Sequence, residues 1–285
     1  MMLFVLIIAI LLIFFIFVVL ISHRMTKPKR NTSDWNPGDF DLEYSEVSFE
    51  TEDGIDLRGW WMDRNSDKTL ICIHGYTASR WYEVYMKPLL KILKNKNYNI
   101  LYFDLRAHGE SGGNRTSFGL RENLDLKASL DWLERNHEKS CKKIGLIGYS
   151  MGGVVAIKGL VSDRRVDCAV ADSPPIDMDS TSSRSLKYFA GIPESFYHLV
   201  KPVVRLLFGV ESFDMYRYMD RIDKPLLLIA GKNDPIVHLS EVRKFYEGSK
   251  DCVELWSTEG EHVRTIQIDY ESYEKKITSF LEEHL

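Results

Sequence analysis

A chain of 285 residues with 45% hydrophobic and 27% charged side chains has ordinary globular make-up. Its length supports a packed core in one large α/β domain or two small ones. A formal net charge of -4 and a pI near 6.1 leave no electrostatic case for a nucleic acid partner. No internal repeat is visible, and the serine-rich stretch Asp179–Ser183 is the only low-complexity tract.

The N-terminus departs from the globular pattern. Leu3 to Ile21 is an unbroken apolar run of 19 residues. As a helix it spans roughly 28 Å, about one hydrocarbon core. A cleavable signal peptide is the competing reading. Against it, no Lys or Arg precedes the run, the run is long, and no small-x-small cleavage site follows. Residues 1–23 are therefore expected to be a single-pass membrane anchor. Arg24, Lys27, Lys29 and Arg30 crowd its C-terminal flank, so the positive-inside rule puts the following domain in the cytoplasm. Cys72, Cys141, Cys168 and Cys252 show no disulfide spacing and suit a reducing compartment. Residues 24–43 read as a linker, polar and with two prolines between Thr26 and Pro37.

Residues 44–285 read as one domain. Tyr44–Glu50 and Leu57–Met62 are strand-like and flank Glu52-Asp53-Gly54, which predicts an antiparallel hairpin. From Lys68 onward strands and helices alternate. Strands are expected at 69–73, 100–103, 144–147, 168–171, 226–230 and 253–256, and helices at 82–93, 120–136, 151–161, 240–246 and 266–283. This order implies a mainly parallel sheet with helices on both faces and a site beyond the strands' carboxyl ends. About fifty residues separate Asp172 from Lys224, too many for a simple crossover. The stretch 174–223 is expected to form a helical cap over that site.

The strongest chemical signal is Gly148-Tyr149-Ser150-Met151-Gly152-Gly153, directly after a strand. A strand ending in Gly-x-Ser-x-Gly and entering a helix turns sharply at the serine and lifts its hydroxyl above the sheet. That hydroxyl needs a base, and the base needs an acid to orient it. Asp234 follows the 226–230 strand, with Asp172 as its main rival. Of the eight histidines, His262 alone satisfies the order serine, acid, histidine. His23, His137, His198, His238 and His284 are misplaced for that role, and His74 reads as a structural hydrogen-bonding residue. An oxyanion needs two backbone donors, expected from the N–H groups of Met151 and of Tyr76 in His74-Gly75-Tyr76-Thr77.

With these residues in view, the stretch from about Tyr44 to Leu285 resembles the serine hydrolases of the α/β-hydrolase superfamily. It is most similar to the monoacylglycerol-lipase-like and serine-aminopeptidase-like group. Asp104-Leu105-Arg106-Ala107-His108-Gly109-Glu110-Ser111 also resembles that group's Asp-x-Arg-Gly-His-Gly-x-Ser, with Ala107 in place of the usual glycine. The resemblance implies a structural role for that segment, and acyl transfer from a carboxylic ester, a lipid ester or an acyl thioester, with neither metal nor organic cofactor. Two other readings stay open: an aminopeptidase or amidase holding the substrate amine through Glu194 or Glu211, and a catalytically silent binding protein on the same fold.

Overall fold

A computed structural model describes residues 1–285. One sheet of eight strands organises it, in the order β1-β2-β4-β3-β5-β6-β7-β8. The strands are β1 Ser45–Glu50, β2 Asp56–Met62, β3 Lys68–Ile73, β4 Asn99–Phe103, β5 Lys143–Tyr149, β6 Cys168–Asp172, β7 Leu226–Gly231 and β8 Val253–Thr258. β1 and β2 form the expected hairpin, β2 is also antiparallel to β4, and the remaining neighbours are parallel. The expected fold class, an α/β-hydrolase fold with a mainly parallel sheet, is borne out.

The central strands are apolar along their whole length because both faces are covered. Side chains alternate between two cores with the period of a strand. Ile71, Leu101 and Leu228 face one core; Cys72, Ile100 and Leu227 face the other. Helices α3 (Glu122–Asn136), α4 (Met151–Ser162) and α7 (Leu239–Glu247) close the first face. Helices α2 (Met86–Leu93) and α9 (Tyr270–His284) close the second. The helix expected over 266–283 is broken: α8 (Thr265–Ile268) stops at Asp269, whose carboxylate accepts the Ser272 N–H at 3.2 Å and starts α9 afresh. The helix expected from residue 82 begins only at Met86, so that Pro88 falls in its first turn, where its missing N–H costs nothing.

The stretch 174–223 holds two α-helices, α5 (Met178–Ala190) and α6 (Tyr197–Phe208), with short 3₁₀ turns at Glu194–Phe196 and Tyr216–Arg221. Helix α1 covers Met2–Thr26 and is long and apolar enough to cross a membrane. A helix of that composition is what either a membrane span or a signal sequence presents. Its C-terminal half packs on α6. Phe14 and Phe17 meet the edge of Phe196, and His23 meets Phe208. Val18, Ser22 and Thr26 form one buried stripe at helical spacing.

The stretch expected as a free linker is docked on the domain. Trp35 is buried and donates its Nε1–H to the Trp81 carbonyl at 2.7 Å. Phe40 and Leu42 join the same core. Arg30 donates to the carbonyls of Gly109 (3.0 Å), Gly113 (2.7 Å) and Ser111. Asn31 donates to the Thr77 carbonyl at 2.5 Å. Polar, proline-bearing composition signalled an irregular backbone here, and the segment is irregular, but its aromatics and Arg30 bind it down.

Candidate active site

The glycines around Ser150 are demanded by backbone contact. A Cβ on Gly148 would collide with the carbonyl of Gly152, and one on Gly152 with the carbonyl of Ile73. With those atoms absent, β5 turns directly into α4. Ser150 takes φ +50° and ψ -116°, a conformation that a side-chain-bearing residue adopts only under constraint. The Ser150 N–H donates to the Asp172 carbonyl at 2.8 Å, holding the elbow to the end of β6.

Two further loops converge on the serine. The loop after β7 carries Asp234 and the loop after β8 carries His262. They approach so closely that a Cβ on Gly231 would strike the Gly260 carbonyl. Asn233 ties them together, donating its side-chain N–H to the Glu259 carbonyl at 2.7 Å. Val263 is held at φ +53°, and its N–H donates to Ser173 Oγ at 3.2 Å. His262 Nε2 thereby lies 2.9 Å from Ser150 Oγ, and Nδ1 lies 2.7 Å from Asp234 Oδ2. Asp234 Oδ1 accepts the N–H groups of Ile236 and Val237, both at 2.8 Å. A carboxylate so loaded is fixed in orientation and presents a single oxygen to the imidazole.

Asp172, the rival acid, is engaged elsewhere. It accepts hydrogen bonds from Tyr273 Oη and Ser173 Oγ, both at 2.9 Å. Burial pushes its pKa up to about 6. Tyr76 and Met151 border the same cavity as Ser150 and His262, and neither backbone N–H donates to a carbonyl of the surrounding loops. The Tyr76 loop is braced by Tyr85 Oη, which accepts the Gly75 N–H at 2.9 Å and whose ring stacks on Tyr149.

His74 and His108 act as braces beneath this loop. The Nδ1–H of His74 donates to the Gly75 carbonyl at 2.8 Å while Nε2 accepts the Leu105 N–H at 3.0 Å. The Nδ1–H of His108 donates to the Arg106 carbonyl at 2.8 Å while Nε2 accepts the Thr77 N–H at 3.2 Å. Burial lowers their pKa values to about 4 and about 3. Both rings are therefore expected to stay neutral above pH 5, with no inflection in their imidazole carbon shifts between pH 5 and 8 by NMR. Asp104 is likewise structural, accepting from the fully buried Arg80 at its backbone N–H (2.8 Å) and its guanidinium (2.5 Å). Ala107, the departure from the glycine of the related motif, sits at φ +63°, so the loop keeps a glycine-like path despite its methyl group.

The cavity above Ser150 has a volume of about 500 Å³. Met178, Leu186 and Phe189 of α5 wall one side, and Ile21 and Met25 of α1 roof another. Tyr76 Oη donates to the Met25 carbonyl at 2.8 Å, so α1 is stitched to the loop expected to supply an oxyanion donor. Sequence reasoning missed this participation of α1. The available signal was Ser22 and Thr26, small polar residues spaced four apart at the C-terminal end of the apolar helix. Glu194 and Glu211 do not line the cavity; they stand beside Lys187 and Arg205 instead.

Residues 68–209 match the family model described as alpha/beta hydrolase fold. The solved structure of the esterase Pf2001 from Pyrococcus furiosus is 46% identical in sequence. It superposes with a TM-score of 0.81 over 90% of this chain and 99% of that one. The chain belongs to the α/β-hydrolase family. Within the family, the uncharacterized protein YqkD of Bacillus subtilis is 28% identical over 237 residues, 80% of this chain and 76% of YqkD. The solved α/β hydrolase GrgF from a Penicillium species is 21% identical, with a TM-score of 0.70 over 85% of this chain and 99% of that one; that likeness shows the fold alone.

Proposed function

We propose that this protein is a membrane-anchored serine hydrolase that cleaves carboxylic esters of lipid character through an acyl-enzyme on Ser150. The observation that carries the reading is the hydrogen-bonded series Ser150–His262–Asp234, at 2.9 and 2.7 Å, at the floor of a cavity walled on one side by the apolar side chains of α5. His262 Nε2 takes the hydroxyl proton as Ser150 Oγ bonds to the ester carbonyl carbon. Asp234 holds the Nδ1–H and stabilises the imidazolium that forms. The N–H groups of Tyr76 and Met151 stabilise the oxyanion. His262 then protonates the departing alcohol, and water attacks the acyl-enzyme with the same groups in reversed roles. Kinship with the Pyrococcus esterase supports ester chemistry. The amine-recognition alternative lacks support, because no aspartate or glutamate lines the cavity.

Length constrains the membrane reading. Phe196 and helix α6, which follows it, lie along residues 14–23 of α1, leaving residues 2–13 clear of the domain. Those residues make roughly 18 Å of helix, against about 30 Å of hydrocarbon. A spanning α1 therefore requires α6 to sit within the leaflet beside it. The surface of the cap suits that position: Leu199, Leu206 and Leu207 of α6 and Tyr188 and Phe189 of α5 are exposed. The basic side chains of α6 have carboxylate partners at the surface, Lys201 with Asp179 and Arg205 beside Glu211. On this reading, substrate reaches Ser150 from the membrane side of the cap.

A fluorophosphonate probe tests the enzyme reading on the full chain in detergent. Labelling is expected at Ser150, together with turnover of p-nitrophenyl esters of medium chain length. A folded protein that neither labels nor cleaves any such ester would instead favour the catalytically silent alternative.

A further inference from the structure

Arg24, Lys27 and Lys29 line the cavity that holds Ser150 and His262, and no carboxylate lines it. Other basic residues nearby are committed. Arg30 is spent on backbone carbonyls, and Arg115 donates to Thr26 Oγ1 at 2.6 Å while lying over the Phe208 ring. In the cap Glu194, Asp179 and Glu211 stand against Lys187, Lys201 and Arg205, and Glu241 behind it against Arg184. Arg24, Lys27 and Lys29 are left without an anionic partner.

Basic residues are favoured at a helix C-terminus and beside a membrane span. The second preference covers Lys29 as a flanking charge but does not dictate its path: Lys29 lies beyond the end of α1 and is still carried back to the cavity. The clamp does that. Arg30 and Asn31 bind the chain along the Gly109–Gly113 and Thr77 backbones, laying residues 27–29 beside the loop of Tyr76. The cavity is therefore two-sided, apolar along Met178, Leu186 and Phe189 of α5 and cationic along the end of α1. Arg24, Lys27 and Lys29 are exposed at the rim of this apolar wall, where unpaired cations concentrate an anionic ligand, and charge-assisted hydrogen bonds from arginine and lysine suit a phosphate.

We propose that Arg24, Lys27 and Lys29 form an anion subsite, and that the ester presented to Ser150 is an acyl glycerophosphate. Its acyl chain lies along α5 and its phosphate against the end of α1. The assignment rests on the ester-hydrolase reading above, and the test separates the two.

Binding is measured by calorimetry to the full-length Ser150→Ala protein in a neutral detergent, using the non-cleavable ethers 1-O-hexylglycerol phosphate and 1-O-hexylglycerol. The phosphate is expected to bind at least about tenfold more tightly. R24Q/K27Q/K29Q is expected to bring the two within about twofold, while R24K/K27R/K29R retains the preference. In the active protein, kcat/KM for hexanoylglycerol phosphate over hexanoylglycerol is expected to follow the same order. If both esters are cleaved at one rate and the ethers bind alike, the subsite is overturned and the esterase stands. A phosphate preference in binding with no ester cleaved overturns the hydrolytic reading, and with it the substrate assignment. Inorganic phosphate binding as tightly as the alkyl phosphate would overturn the acyl glycerophosphate in favour of a free-phosphate site.

Discussion

Replacing Ser150 by alanine is expected to lower kcat/KM for an ester about ten-thousand-fold or more, with melting unchanged within a few degrees. In the proposed mechanism the hydroxyl carries the attack, while the elbow is held by main-chain contacts that alanine keeps, including the Ser150 N–H to the Asp172 carbonyl. Asp234→Asn is expected to lose a comparable factor for a different reason. Its amide oxygen stays with the N–H groups of Ile236 and Val237, which already claim one carboxylate oxygen at 2.8 Å each. The new NH₂ then faces His262 Nδ1 and donates to it. The ring is held with its proton on Nε2, and Nε2 can no longer accept the proton of Ser150. Asp172→Asn supplies the contrast. Asp172 accepts from Ser173 on one oxygen and from Tyr273 on the other; the amide oxygen keeps Ser173, the NH₂ donates to Tyr273 Oη, and that hydroxyl donates to Tyr149 Oη 3.1 Å away, so a loss below about tenfold is expected. Steady-state assays of the three variants decide which aspartate orients the base, and equal losses for both aspartates would sink this assignment.

Much of the fold is legible in the sequence because central strands covered on both faces must be apolar throughout. Ile71-Cys72-Ile73 and Leu226-Leu227-Leu228 read as strands for that reason, and the gaps between such runs read as helices. Ser150, Asp234 and His262 are legible because a parallel sheet brings its strand ends to one edge. The role of residues 24–43 is not legible, since nothing local says what Arg30 or Trp35 will touch. Arg30 finds carbonyls near 109–113 and Trp35 finds Trp81, pairings that exist only after the sheet has formed. The seating of α1 is hidden for a related reason. An apolar helix reads as a membrane span whether its last turns are free or roof a cavity, and only Ser22 and Thr26 hint at the difference. The break at Asp269 is a competition: the aspartate caps α9 better than it continues α8.

The three glycines of the elbow are expected to respond very differently to one added methyl group. Gly148→Ala and Gly152→Ala are each expected to cost more than about 4 kcal/mol and to leave little soluble protein. The atoms in the way are main chain: the Gly152 carbonyl for Gly148, and the carbonyls of Ile73 and His74 for Gly152. Relief would require β3, β5 and α4 to separate, which no side-chain rearrangement supplies. Gly153→Ala is expected to stay within about 1 kcal/mol of the parent. Its Cβ would meet Pro174 Cβ at 3.1 Å, which a small shift of the loop after β6 relieves, and the Gly148 carbonyl at 3.3 Å, which needs a shift of only a few tenths of an ångström. The gain in helix propensity inside α4 offsets part of that cost. Urea denaturation of the three variants, with Ser150 labelling as a check on the elbow, measures the contrast. Equal tolerance at all three positions would mean that the close approach of β3 and α4 is not what forces Ser150 to φ +50°. The exposure of its hydroxyl would then need a cause other than main-chain crowding at Gly148 and Gly152.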